Sequence, residues 1–394
     1  MANTSRINTL DGLRGWAALT VVVYHIVWET FGAAIPIIHN PIFAIFLNRS
    51  LAVAIFFLLS GEALSTAYFK FQDDRIVVGS ALKRYSRLTI PIAASSLIVF
   101  VIVFFHLNLN SQASAIIHRP GWMGSFLSHV PPSPLFFLKW MFFGVYAEQK
   151  SGLSINPFLW TMHYELIGSM LVFTVLLAYR YLAHPWWIVL TVAIALTIVN
   201  EGYSNYACFL LGIWMASARQ SGVIDQIKRY RNSQILSAAV LVVIAVVSGL
   251  KRLNGGFVWE HAAFFAFPFM IAVAVNEGAT SFLSSRFSQF LARISYPIFL
   301  LQFPVIISVT AWAIVYANSD GFLSGVEVGW IMALSLAVCV VAATLFLPIE
   351  AFTLRFGKVI GRALIKGEGV RREVRKAAEY EEASAFAFPS GDRK

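Results

Sequence analysis

Ten apolar stretches of this chain are of bilayer-crossing length or close to it, and no other feature constrains the fold as strongly. They lie at roughly 11–33, 47–69, 88–107, 157–180, 185–200, 204–219, 234–250, 257–276, 293–316 and 327–350. Hydrophobic residues fill 58% of the 394 positions and charged residues 13%. A soluble chain carries about 25% charged residues. No Asn-Gly or Asp-Gly turn joins alternating strands, which argues against a β-barrel. The expected fold class is therefore all-α, a polytopic integral membrane protein with about ten transmembrane helices. Segment 135–146, LFFLKWMFFGVY, is too short to span comfortably and reads as interfacial or re-entrant. The first stretch reads as a retained helix. Its charged residues continue to Arg14, and Gly32-Ala33-Ala34 makes only a weak cleavage site.

Ten spans put both termini on one side, and the basic residues select which. With the N-terminus cytoplasmic, the 30 Lys and Arg residues all fall inside except Arg49, Arg119, Lys139, Lys150, Lys251 and Arg252. This asymmetry accounts for the net charge of +10 without a nucleic-acid partner. Residues 1–352 are expected to form one membrane domain. Residues 353–394 are expected to form a charged cytoplasmic tail, a short surface helix with a disordered end. Cys208 and Cys339 both lie in apolar segments and read as small buried residues, not as a disulfide or metal ligands. No P-loop, dinucleotide fingerprint or HExxH motif is present.

Within the first stretch, LDGLRGWAALTVVVYHIVW, Arg14 and His25 are eleven residues apart. Eleven α-helical steps return to within about 20° of the same face, with a rise of about 16 Å. Asp11 shares that face. Ionisable residues in such a helix usually face a protein interior or a wet cavity. His25 has two readings: a histidine hydrogen-bonded to a neighbouring helix, or a general base or proton relay. Arg14 either snorkels to the interface or pairs with Asp11. Lys83, Arg84 and Arg87, in ALKRYSRLTIP, are placed where a cytoplasmic loop becomes the third span. They read as a positive-inside anchor or as guanidinium forks for phosphate. Glu165, in PFLWTMHYELIGSM, is placed in the outer part of the fourth span. It is either an interface glutamate in water, or a carboxylate that orients an imidazole or binds a sugar hydroxyl. His163 points about 160° away from it. Gly61 allows close helix approach. Glu62 follows it as an intramembrane carboxylate that pairs with a cation or lines a cavity.

Taken together, these segments resemble the acyltransferase-3 family of integral-membrane acyltransferases. LDGLRGWAALTVVVYH resembles its first-helix signature and FFLLSG its second. Arg84 and Arg87 match its Arg-x-x-Arg motif, LWTMHYEL its Trp-to-Glu motif, and ISYPIFLLQFPV its late Ser-Tyr helix. The matches run in the family's order from residue 10 to about 305. The resemblance implies transfer of an acyl group, commonly acetyl, from cytoplasmic acyl-CoA to a hydroxyl of a carbohydrate or glycolipid acceptor at the outer face. O-acetylation of a polysaccharide at a bacterial cytoplasmic (inner) membrane is the form it suggests. On this basis His25 and Arg14 map to the functional pair, with Glu165 orienting the acceptor. Arg84 and Arg87, with Lys83 beside them, map to the CoA-contacting site. The expected donor is acetyl-CoA or another acyl-CoA, with no metal. Two positions depart from the pattern: Gln302 stands where many members carry His, and Glu62 where many carry an aromatic or apolar residue. Some members append a soluble esterase-like domain, which the short tail here leads one not to expect. The main rival is a transporter moving a glycan or small solute along the same polar track, for which inverted repeats with broken helices would speak. Among enzymes, the rival is a succinyl or longer-chain transferase. Direct transfer and an acylated relay both remain open.

Overall fold

The structure is a computed structural model that describes residues 2–131, 133–147, 153–253, 262–318 and 323–364. Among these, every regular element is helical. The chain opens with α1 (Ala2–Val23), extended by a π-helical turn over Tyr24–Glu29. There follow α2 (Pro41–Phe46), α3 (Arg49–Phe71), α4 (Asp74–Phe104), α5 (Asn110–Ile116) and α6 (Pro134–Phe142). The middle of the chain forms α7 (Thr161–Tyr179), α8 (Pro185–Val199), α9 (Glu201–Gln220), α10 (Val223–Lys228) and α11 (Ser233–Leu253). The last third forms α12 (Ala262–Val275), α13 (Glu277–Leu283), α14 (Arg286–Val305), a second π turn over Ile306–Thr310, α15 (Ala311–Ala317) and α16 (Gly325–Leu364).

Side-chain caps start the helices where the sequence turns polar. Asn48 accepts from Leu51 N at 3.1 Å, Asp73 from Arg75 N at 2.9 Å, and Asn276 from Ala279 N at 2.9 Å. Gln72, in the left-handed region at φ 55°, ends α3 and leaves a two-residue turn before α4. An ion pair, Arg180 to Asp74 at 3.1 Å, ties the end of α7 to the start of α4. The two helices therefore run antiparallel.

Among the described residues, six helices are long and apolar enough to cross a membrane, and a seventh candidate is the pair α12 and α13, bent by 91°. About ten spans were expected. The segment at 185–200 forms a helix of only 15 residues. The segments at 11–33 and 204–219 form α1 and α9, which are helical but fall outside the six. Expected spans and observed helices also differ in reach. Helix α4 begins at Asp74, well before the expected start at 88, and its 31 residues extend about 46 Å, longer than the bilayer core of about 30 Å. Helix α16 passes through position 352 without a break, and the tail beyond 364 lies outside the described residues.

Two close helix contacts set the core. A Cβ at Gly61 would collide with the Phe209 carbonyl oxygen, and one at Gly212 with that of Leu58, so α3 and α9 pack backbone to backbone. Helices α1 and α14 run parallel. Trp16 Nε1 donates to Ser288 Oγ at 3.0 Å, and His25 meets Gln302 further along both helices. Cys208 and Cys339 are buried free thiols.

Candidate functional site

His25 occupies the π turn that closes the first helix. A π turn bonds i to i+5, so residues five apart come into line. Here the Thr30 hydroxyl donates to the His25 carbonyl at 2.8 Å, and the Tyr24 hydroxyl reaches the Glu29 carboxylate. The His25 side chain is 6% exposed. Its ring stacks on Phe158 with centroids 4.0 Å apart, and Trp122 lies 6.5 Å away. Phe158 is set by Asn156, which caps its backbone N–H at 3.1 Å.

The second partner of His25 fixes its chemistry. Nδ1 lies 2.9 Å from Gln302 Oε1. The Gln302 amide nitrogen donates to the Phe299 carbonyl at 3.0 Å, so the amide oxygen is the atom facing the ring. An oxygen acceptor there requires Nδ1 to carry the proton, which leaves Nε2 as the basic nitrogen. Gln302 was legible in the sequence as a departure from the family pattern. Its contact with His25 was not, because 277 residues separate them.

A second node lies about two helical turns back along α14. Arg84 of α4 pairs with Glu165 of α7, and its Nε donates to Ser169 Oγ at 2.8 Å. Ser60 of α3 donates to the same Glu165 oxygen at 2.7 Å. Tyr296, six residues and about 9 Å before Gln302, lies beside this node, and its hydroxyl donates to the Leu88 carbonyl at 3.3 Å. Beside this node, burial pushes the Tyr146 hydroxyl up, so it stays protonated in its bond with Thr89 at 2.8 Å.

This geometry corrects the expected placement of four residues. Lys83, Arg84 and Arg87 lie inside α4, not at a loop-to-span junction, because that helix starts at Asp74. Glu165 does not lie toward the opposite face from Arg84. The antiparallel run of α4 and α7 brings the two charges together inside the bundle. His163 turns elsewhere and contacts the Tyr146 carbonyl oxygen at 2.7 Å.

A third group gathers at the expected cytoplasmic mouth. Arg14 pairs with Asp11 at 2.9 Å. The charges of Arg14 and Arg87 act on both Asp11 and Glu350. The half-buried Lys83 runs its stem beside Gly361 at the end of α16. Glu350 was missed in the sequence. A lone carboxylate closing an apolar run, TLFLPIEAF, was the available signal. Glu62, fully buried, pairs with Arg219 of α9 at 2.6 Å.

The arrangement is thus an oriented imidazole deep in a helical bundle, with a cluster of cations and carboxylates from α1, α4 and α16 further back. The acyltransferase domain profile matches residues 7–347. The chain belongs to the acyltransferase-3 family. It is a transferase enzyme of the membrane, and family membership implies an acyl donor. No curated protein and no solved structure matches it. In this acyltransferase-3 member, Gln302 is the hydrogen-bond partner of the His25 imidazole.

Proposed function

We propose that this acyltransferase moves an acetyl group from acetyl-CoA, taken up at the cytoplasmic mouth, to a hydroxyl of a carbohydrate-type acceptor on the outer side. The observation that carries this reading is the His25–Gln302 contact, which sets the tautomer a general base needs. Nε2 takes the proton of the acceptor hydroxyl as its oxygen attacks the thioester carbonyl. The C–S bond breaks, and the CoA sulfur leaves with the proton that the imidazolium returns. Transfer is direct in this account, with no acyl-enzyme.

Arg14, Arg87 and Lys83 are the cations offered to the CoA phosphates. The axial rise of about 16 Å from Arg14 to His25 is within the reach of an extended pantetheine arm. Arg84 also belongs to the donor side of this passage, but its fork is already engaged by Glu165 and Ser169. Arg84 and Glu165 act as a positioning pair that holds α3, α4 and α7 around the passage. In this reading the chain makes about ten membrane crossings with both termini cytoplasmic, in a bacterial cytoplasmic membrane. Single cysteines at 75 and 118 are expected to label from opposite sides.

Purified protein incubated with acetyl-labelled acetyl-CoA and a saccharide acceptor tests the reaction. Wild type is expected to release CoA and transfer label. His25→Ala, folded and inserted, is expected to lose about 100-fold or more of the transfer rate. Full transfer by His25→Ala overturns the assignment of the base, and transport of an unmodified saccharide without CoA release overturns the enzyme reading.

A further inference from the structure

Beyond His25, the π turn and the loop after α5 build a cluster that the transfer chemistry does not use. Glu29 receives Arg119 at 2.5 Å and also the Tyr24 hydroxyl. Arg119 lies over the Trp122 ring at 5.9 Å, and Arg49 lies over Tyr24 at 4.9 Å. Trp28 stacks on Tyr24 at 6.4 Å and meets the His39 ring at 4.6 Å. Glu29 and Arg119 keep 17% and 26% of their side chains exposed, and Trp28 and Trp122 are each half-buried. Arg119 Nε makes no hydrogen bond among the described residues. Its neighbour His118 holds φ at 53°, a left-handed conformation that seldom persists without surrounding constraint.

We infer that Glu29, Arg119, Trp122 and Trp28 form the acceptor subsite, which seats a sugar ring with its apolar face on an indole and its hydroxyls on the carboxylate–guanidinium pair. The inference rests on the acceptor class proposed above and names the residues that select it. A hydroxyl both donates and accepts. A carboxylate and a guanidinium side by side offer both functions at once, whereas an anionic ligand would use the guanidinium alone. Half-buried indoles add apolar faces, to which the C–H face of a sugar ring is complementary. Trp122 is also 6.5 Å from His25, so a ring seated there presents a hydroxyl toward the imidazole. A simple alcohol offers the hydroxyl without the ring face and makes half of these contacts.

Saturation-transfer NMR on the full-length protein in detergent, without acyl donor, tests the subsite independently of catalysis. The probes are methyl glucoside, methyl galactoside, methyl mannoside and 1-hexanol. At least one glycoside is expected to receive saturation at its ring protons, and hexanol is expected not to displace it. Trp122→Leu and Glu29→Gln are each expected to weaken that binding about 5-fold or more. His25→Ala is expected to retain it. Size-exclusion and thermal unfolding confirm that each variant is folded. Absence of glycoside binding in wild type, equal displacement by hexanol, or unchanged binding in both variants overturns the subsite. CoA release by the same wild-type preparation reports the transferase reading separately: glycoside binding without CoA release counts against that reading and not against the sugar seat.

Discussion

Among the described residues, two buried ion pairs meet at helix α3 and differ in everything around them. Arg84–Glu165 is surrounded by hydroxyls, with Ser60 on the carboxylate and Ser169 on the guanidinium. Glu62–Arg219 is dry in the sense that no hydroxyl bonds to either carboxylate oxygen among the described residues. Neither Glu62 oxygen makes a hydrogen bond among the described residues, nor do Arg219 Nε and one of its terminal nitrogens, although Nε and Oε1 lie 2.6 Å apart. Both acidic partners rely on α3, since Ser60 and Glu62 are two residues apart and face different neighbours. The hydroxyl-lined pair joins three helices beside the candidate passage. The dry pair sits at the close backbone approach of α3 and α9, flanked by Gly61 and Gly212. A buried pair with its remaining lone pairs satisfied can rearrange among partners at modest cost. One held by charge alone cannot lose a member without stranding a charge.

The largest effect should come from halving the dry pair. Glu62→Ala leaves Arg219 charged and buried, and a loss of about 3–5 kcal/mol is expected. Thermal unfolding in detergent reads it, and an unchanged midpoint breaks the contrast. Next is Arg84→Met. The Ser60 donor remains on Glu165, so the expected stability loss is smaller, about 2–3 kcal/mol. Acyl transfer by the folded fraction should fall further than in Glu62→Ala. The reverse ranking would make the hydroxyl-lined pair the brace. Ser60→Ala removes one hydrogen bond to a charged group, about 1–2 kcal/mol, measured the same way. Smallest of all should be the combined change Glu62→Leu with Arg219→Met. Replacing both charges by apolar side chains is expected to shift the midpoint little, because burying an ion pair gives back little net stability. A large loss there would show that the dry pair does more than bridge α3 and α9.

The membrane class was readable because a span needs a long apolar run, and composition cannot hide one. The helical periodicity of the first segment likewise placed Asp11, Arg14 and His25 on one wall. The span count was less legible. Helices such as α9 are enclosed by other helices and so are free to carry polar residues that a lipid-facing span excludes. Pair formation was not legible at all. Spacing along one helix says which residues share a face, but Arg84 meets Glu165 only because α4 and α7 run antiparallel with a register fixed near Asp74 and Arg180. The same holds for His25 and Gln302, where a parallel pairing of the first and the fourteenth helices does what no local pattern announces. The family resemblance named most of these residues. It gave no partners, and the partners carry the chemistry.

The π turn at Tyr24–Glu29 has a consequence for how this enzyme can vary. Such a turn contains one residue more than an α turn, so it is a reserve of chain length inside a continuous helix. Deleting a single residue after His25 would let the segment close as α-helix. The helix on either side would keep its register, because the residue lost is the one that the wider turn had absorbed. Point substitution alters what the rim touches one side chain at a time. A one-residue deletion inside the turn removes a rim side chain outright and leaves the flanking helix in place, so this helix can change its outward-facing surface while keeping its wall.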